Sequence, residues 1–424
     1  MKRRSFLQFA GGAIAPLLWS NKATAVYSDS IEKSDALFID NTRLANRNQN
    51  RSTVVCQNGI VCSSQPLASQ AGLDILKSGG NAIDAAICTN AMLSVVEPMM
   101  CGPGGDLFAI VWIEREQKLY GLNASGRSPF TWNLSKFREL GLSEIPTFGP
   151  LSWSVPGCVS GWDMLLQRFG TKKVGDVLEA AIHYAQEGFP VSPIIANSWQ
   201  SAQKENYPTL LQTFAPGGRA PRFGQIFRNP DLARFFNILS RDGFDSFYKG
   251  EIADRLVKFS QQQGGLFTKR DFVEHEANWV EPVSSNYRRY DIWELPPNGQ
   301  GIAVLQILNL LENFDIASLG ANSAQQLHLF IEAKKLAFED RAVYYADMDF
   351  ADVPVKTLIS KEYAKERVTL INPQKAAQQV KAGRIQGSAD TTYLCAADKE
   401  GNMISLIQSV FYSFGSRMVP EGLG

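Results

Sequence analysis

The feature that most constrains this chain lies near its end. A polar stretch with little helix or strand signal, residues 373–390, runs straight into Thr391-Thr392 and then into a strand, a turn and a second strand. The first strand is expected over 391–397. The turn is Asp398-Lys399-Glu400-Gly401-Asn402, and the return strand covers 403–409. Earlier segments read as 61–64, 107–113, 118–122 and 287–295 for strands. Helices are expected over 67–77, 82–95, 174–183, 230–239, 251–261, 301–311 and 324–345. Asn81 and Asn229 are the expected caps of two of them, and Gly79-Gly80 and Gly264-Gly265 the stops. The 82–95 segment is apolar on most sides and belongs in the interior, whereas 324–345 carries charge on one face. Strands towards both ends and helices between them suit a sheet core with helical layers.

Residues 1–25 are set apart from the fold as an export signal. Arg3-Arg4-Ser5-Phe6-Leu7 fits the twin-arginine pattern, residues 9–19 form an apolar stretch, and Ala23-Thr24-Ala25 is a cleavage motif. The mature chain is therefore expected in the periplasm. No other apolar run approaches the ~20 residues of a membrane span, so no stable membrane association is expected. Lysine and arginine number 42 against 42 acidic residues, which gives no reason to expect nucleic acid as a partner. The six cysteines, Cys56, Cys62, Cys88, Cys101, Cys158 and Cys395, form no C-x-x-C pair and are expected as buried free thiols. A twin-arginine substrate folds in the reducing cytosol, although the oxidising compartment beyond permits disulfides.

Nucleophile schemes based on histidine are poorly served. The chain has three histidines, and Gly157-Cys158-Val159-Ser160-Gly161 has the wrong spacing for a serine elbow. His328 and Glu332, four apart, read as a solvated helix face rather than a metal pair, and no metal or cofactor is expected. Gly102-Pro103-Gly104-Gly105 lacks the Lys-Ser/Thr of a phosphate loop and reads as a tight turn. Arg127 follows a strand, where it is either a surface residue or a two-pronged grip on a carboxylate. A threonine freed at a new N-terminus, by contrast, carries its own base: its amine takes the proton from its hydroxyl.

At these residues the chain resembles the γ-glutamyltransferase family, in a branch that includes cephalosporin-acylase-like amidases. The resemblance spans about residues 58–424. It rests on ordered blocks: Ser78-Gly79-Gly80-Asn81-Ala82-Ile83-Asp84-Ala85-Ala86, Cys101-Gly102-Pro103-Gly104-Gly105-Asp106-Leu107, Val155-Pro156-Gly157, Phe247-Tyr248-Lys249-Gly250, Gly264-Gly265-Leu266 and Asp390-Thr391-Thr392. It implies an α+β fold of the four-layer αββα N-terminal-nucleophile hydrolase type. It also implies a cut between Asp390 and Thr391, which gives a large chain (26–390) and a small one (from 391). Thr391 is then the nucleophile, Ser409 the supporting hydroxyl and Arg127 the carboxylate ligand. The implied partner is a small amide, glutathione or similar, whose acyl group passes through Thr391 to water or an amino acid.

Three departures qualify the resemblance. The family's arginine aligns near Ser125, two positions before Arg127. Phe411 replaces an expected asparagine. These two changes, with Pro296-Pro297-Asn298-Gly299-Gln300-Gly301, point towards acylase specificity. The third is that the family's small chain continues further and supplies a Gly-Gly oxyanion hole. The fold is accordingly expected to be incomplete at the C-terminus, with 403–409 lacking flanking strands, an open sheet edge and little activity. An acylase for another carboxylate-bearing amide and an inactive remnant remain the alternatives.

Overall fold

The structure, a computed structural model, describes residues 53–378 and 391–424. The export motif and Asp390 lie outside the described residues. The description concerns the unit formed by residues 56–424.

The main elements, in chain order, are β1 (Gly59–Ser63), α1 (Pro66–Lys77), α2 (Ala82–Val96), β2 (Asp106–Ile113), β3 (Lys118–Ala124), α3 (Cys158–Phe169), α4 (Val174–Glu187), α5 (Pro230–Asp242), α6 (Glu251–Gln262), β4 (Asn278–Val280), β5 (Val283–Tyr287), β6 (Tyr290–Glu294), α7 (Ile302–Leu311), α8 (Ala324–Tyr344), β7 (Thr392–Asp398) and β8 (Met403–Ser409). Strands from both ends of the chain build one antiparallel sheet in the order β1-β7-β8-β2-β3-β4. Residues 403–409 were expected to lack flanking strands, but β8 is interior, paired with β7 on one side and β2 on the other. The edges of the described sheet are β1 and β4.

Alternation fixes which face of the sheet meets the helices. In β2, Leu107, Ala109, Val111 and Ile113 are buried while their neighbours are half-buried. In β7 and β8, Leu394, Ala396, Ile404 and Leu406 continue that face. Against it lies α2, buried along its whole length and built largely of alanine and other small or aliphatic residues. Next come α4 and then α5, so the helices stack outward from one side of the sheet. Close approach of α1 to α2 depends on Gly72, where a Cβ would come within 2.1 Å of Thr89 Oγ1.

Buried carboxylates pin this layer. Asn81 and Asp84 form a reciprocal cap at the start of α2, and Asp84 also accepts from Thr171 N, Thr171 Oγ1 and Lys172 N. Asp398, at the end of β7, accepts from Ala82 N at 3.0 Å and from Asn402 at 2.9–3.0 Å. Its carboxylate thus caps a helix and shapes the hairpin turn together.

Three elements differ from the sequence expectation. Residues 287–295 form a turn and a return strand, because Arg288 takes φ +61° and reverses the chain between β5 and β6. The helix α3 arises where only a failed elbow motif was read. Its start is held by Tyr248, whose hydroxyl donates to Pro156 O at 2.7 Å and accepts from Ser160 N at 2.9 Å. The charged helix α8 also differs, for it buries Glu332 and Asp340 rather than presenting all its charge to water. Asp340 receives Gln306, Tyr363 and Arg367.

The cysteines divide. Cys88, Cys101 and Cys158 are buried as expected, but Cys56 and Cys62 are exposed and Cys395 is half-buried. Strand alternation puts Cys62 and Cys395 on the sheet face away from α2.

Replacing Asp398 with alanine removes the acceptor shared by α2 and the hairpin. Chemical denaturation of the variant is expected to show a loss of roughly 1–3 kcal/mol. His275 supplies a pH test. Burial, aided by the charge of Arg127, depresses its pKa from 6.5 to about 4, and neither ring nitrogen finds a partner. The unfolded chain therefore binds this proton at a higher pH than the folded one. The contribution is complete above pH 6.5, falls as pH drops towards about 4 and levels off below. The full loss is on the order of 3 kcal/mol. Urea titrations between pH 7 and 4 are expected to show a steeper decline for the native sequence than for His275→Phe.

Candidate functional site

Thr391 stands immediately before β7 and is exposed, at the end of the sheet opposite the Asp398 turn. The register Thr392↔Gln408 places it beside Ser409, the last residue of β8. The two hydroxyl oxygens are 3.1 Å apart. The backbone N–H of Phe411 donates to Ser409 Oγ at 2.8 Å. Phe411, which stands where the resemblance led to an asparagine, thus meets this hydroxyl through its main chain. Phe411 reaches the position with φ +74°, a conformation that costs a non-glycine residue and is held here by the surrounding loop.

Thr392 points the other way, into the helical layer. Its hydroxyl donates to Glu97 Oε2 at 3.3 Å and lies 3.2 Å from Ser64 Oγ, and Ser64 itself donates to Glu97. Glu97 is the residue that ends α2. Burial raises its carboxyl above the ordinary range, against the opposing effect of hydrogen bonds from Ser64, Thr392 and Gln65. The start of β7 is therefore tied to the end of α2 and to the segment after β1, and Thr391 is placed by its neighbour.

The glycine turn closes the same end of the sheet. Gly102 N donates to Gln408 Oε1, and Gln408 Nε2 donates back to Gly102 O, both at 2.9 Å. A Cβ on Gly105 would fall 1.9 Å from Ser409 O, so only glycine permits this approach. Gly102 and Gly105 already donate their N–H groups within the turn and to Gln408, and Pro103 has none. The turn is thus a packing device, as read from its sequence, and not a two-donor oxyanion cradle.

Asp106 pairs directly with Ser409 across β2 and β8. Burial pushes its carboxyl up to about 6, moderated by its own backbone N–H and that of Ser409. One strand further, Leu107 pairs with Ala124, so Ser125 ends the same transverse row. At the usual strand spacing it is about 10 Å from Ser409. Ser125 belongs to a neutral cluster. Its N and Oγ donate to Asn123 Oδ1, Asn298 Nδ2 donates to Ser125 Oγ at 3.0 Å, and Asn123 Nδ2 donates to Asn298 Oδ1 at 2.7 Å. Arg127 lies two residues beyond that row. Its carbonyl accepts from Val155 N, and its half-exposed guanidinium is 3.9 Å from Asp349.

Other candidates fall away from this end. His328 meets Asn372 O at 2.8 Å, while Glu332 accepts from Lys335 and from Ala377 N. Together they clamp residues 372–377 to α8, and no group of three metal-ligating side chains occurs among the described residues. A cleft of about 1050 Å³ lies at the Asp398 end, lined by Asn58, Lys77, Arg168 and Lys399 among others. It contains neither Thr391 nor Ser409. No described helix is long and apolar enough to cross a membrane.

Thr391, Ser409 and Arg127 were singled out from sequence, and the fold brings the first two together. Glu97, Ser64, Gln408 and Asp106 were not. Glu97 is separated from Thr392 by most of the chain, and the Glu-Pro pair ending α2 was the one local sign of it.

Comparison with known proteins places the chain in a family. The sequence profile of the family described as gamma-glutamyltranspeptidase matches residues 68–424. A Bacillus subtilis (strain 168) protein named glutathione hydrolase-like YwrD proenzyme is 38% identical over 378 residues, covering 88% of this chain and 70% of that protein. The Acylase ACY 1 proenzyme of Pseudomonas sp. (strain SE83) is 36% identical over 378 residues, covering 86% and 68%. The crystal structure of cephalosporin acylase from Bacillus halodurans superposes with a TM-score of 0.80 at 40% identity, covering 89% of this chain and 70% of that one. That of Helicobacter pylori gamma-glutamyltranspeptidase gives 0.73 at 33% identity, covering 78% and 97%. With the N-terminal-nucleophile hydrolase fold, a threonine at the head of a central strand and these relatives, the chain belongs to the gamma-glutamyltranspeptidase family of hydrolases and acyltransferases.

Proposed function

We propose that the chain is a proenzyme that cuts itself between Asp390 and Thr391 and then hydrolyses or transfers an acyl group from a small amide through Thr391. The observation that carries this reading is the 3.1 Å contact between Thr391 Oγ1 and Ser409 Oγ at the head of β7. In the uncut chain the Thr391 hydroxyl attacks the carbonyl before it, and the resulting ester is hydrolysed. The freed amine then serves as base for the same hydroxyl. Ser409, itself receiving the Phe411 N–H, orients that hydroxyl in both steps. The two products are a large chain ending at 390 and a small chain beginning at 391. The twin-arginine motif supports export to the periplasm.

For the acyl group, two readings stand. A γ-glutamyl donor carries a carboxylate, which Arg127 can grip by exchanging its long contact with Asp349 for a two-pronged bond. The acylase reading is favoured by the neutral Asn123, Ser125 and Asn298 cluster at the end of the nucleophile's own row. That cluster offers amide and hydroxyl groups but no charge.

Thr391→Ala is expected to give a single uncut band on a reducing denaturing gel, where the native sequence gives two. A cut at the same bond in that variant overturns the proposal. Arg127→Ala tests whether a substrate carboxylate is held at Arg127. Loss of a charge-assisted pair worth about 1.5–3 kcal/mol raises KM for carboxylate-bearing amides by roughly 10- to 100-fold, with little effect on neutral ones. Equal kinetics on both classes removes Arg127 from the site and favours the neutral cluster.

A further inference from the structure

Cys62 and Cys395 are direct partners in the antiparallel pairing of β1 with β7. Residues directly opposite in such a pair project from the same face, with Cα atoms about 4.5 or 5.5 Å apart. Both separations lie inside the roughly 4.4–6.8 Å that a disulfide spans without moving the backbone. Burial, followed by the neighbouring Cys62, raises the pKa of Cys395. Both sulfurs lie on the sheet face away from the helices, where Cys62 is exposed and Cys395 half-buried. The other described cysteines lack this relation: Cys88, Cys101 and Cys158 are buried, and Cys56 has no strand partner.

We propose that Cys62 and Cys395 form a cross-strand disulfide that joins the segments on either side of the Asp390–Thr391 bond. Cys62 belongs to the part of the chain before that bond. Cys395 is four residues beyond Thr391, on the strand that Thr391 heads. The bridge is also close to the site's own anchor, since Ser64, two residues after Cys62, holds Thr392. Oxidation therefore fixes the register of β7 next to the residue that places Thr391, and it keeps the two pieces covalently joined after a cut.

The oxidant is a small-molecule or protein disulfide. The exposed Cys62, as thiolate, attacks one of its sulfurs and releases one thiol, leaving Cys62 in a mixed disulfide. Cys395 loses its proton and attacks the Cys62 sulfur, releasing the second thiol. The two cysteines lose two electrons and two protons in all, and the disulfide donor becomes two thiols.

The test uses the purified chain incubated with glutathione disulfide, quenched with iodoacetamide and digested without reductant. Mass spectrometry is expected to find one linked peptide pair containing Cys62 and Cys395, lost on reduction and absent from Cys62→Ser and Cys395→Ser. This readout holds whether or not the bond before Thr391 is cut, so it stands apart from the catalytic proposal. Where the chain has cut itself, a gel without reductant shows one band that becomes two when reductant is added. Full alkylation of both cysteines in the native sequence overturns the inference. So does separate glutathione capping of each, or a bridge from Cys62 to Cys56.

Discussion

The structure depends on the match between one buried helix and one strand. The helix α2 holds β7 at both ends: Asp398 caps its first turn, and Thr392 reaches Glu97 at its last. A helix of 15 residues rises about 22 Å, and the six steps from residue 392 to 398 extend about 20 Å. The helix therefore acts as a ruler for the strand. A one-residue slip of β7 along it would break both carboxylate anchors and turn Leu394 and Ala396 away from the core. This constraint, more than any contact of Thr391 itself, sets where the candidate nucleophile stands.

The same constraint separates the candidate catalytic residues from those that place them. Thr391 and Ser409 face outward on a half-exposed sheet end, while Thr392, Gln408, Glu97 and Asp106 lie behind or beside them with restricted access to water. Buried carboxyls are costly unless they are hydrogen-bonded or protonated, and Glu97 and Asp106 both show the upward shift that burial imposes. A network of this kind holds the Thr392 hydroxyl and the Ser409 backbone through shared hydrogen bonds.

Local features were legible in the sequence and distant pairings were not. The cap Asn81, the apolar helix after it, and the hairpin around Gly401 follow from side-chain chemistry within a few residues, and each is present. The Thr391–Ser409 contact was within reach because both residues belong to one hairpin. The Glu97–Thr392 contact and the Cys62–Cys395 pairing were not, since each joins residues hundreds of positions apart through a strand order that no local pattern states. The helix α3 was missed because its start carries Gly157 and Gly161, and glycine is a poor helix former. In the fold Gly161 is helical and lets the helix approach Ala124, where a Cβ would come within 2.8 Å.

The clamp on residues 372–377 has a consequence for the history of the molecule. Gln325, His328, Glu332 and Lys335 hold that segment to α8, and only residues 378–390 connect it to Thr391. While the connection is intact, a displaced β7–β8 hairpin stays tethered at an effective concentration on the order of millimolar, as short linkers give. Once the bond before Thr391 is cut, and with Cys62 and Cys395 reduced, the hairpin belongs to a separate chain, and its return becomes a bimolecular search at whatever dilution the protein occupies. A chain that folds easily before the cut is then preserved afterwards by the slowness of its unfolding. Refolding yield from denaturant becomes a record of whether the molecule has matured.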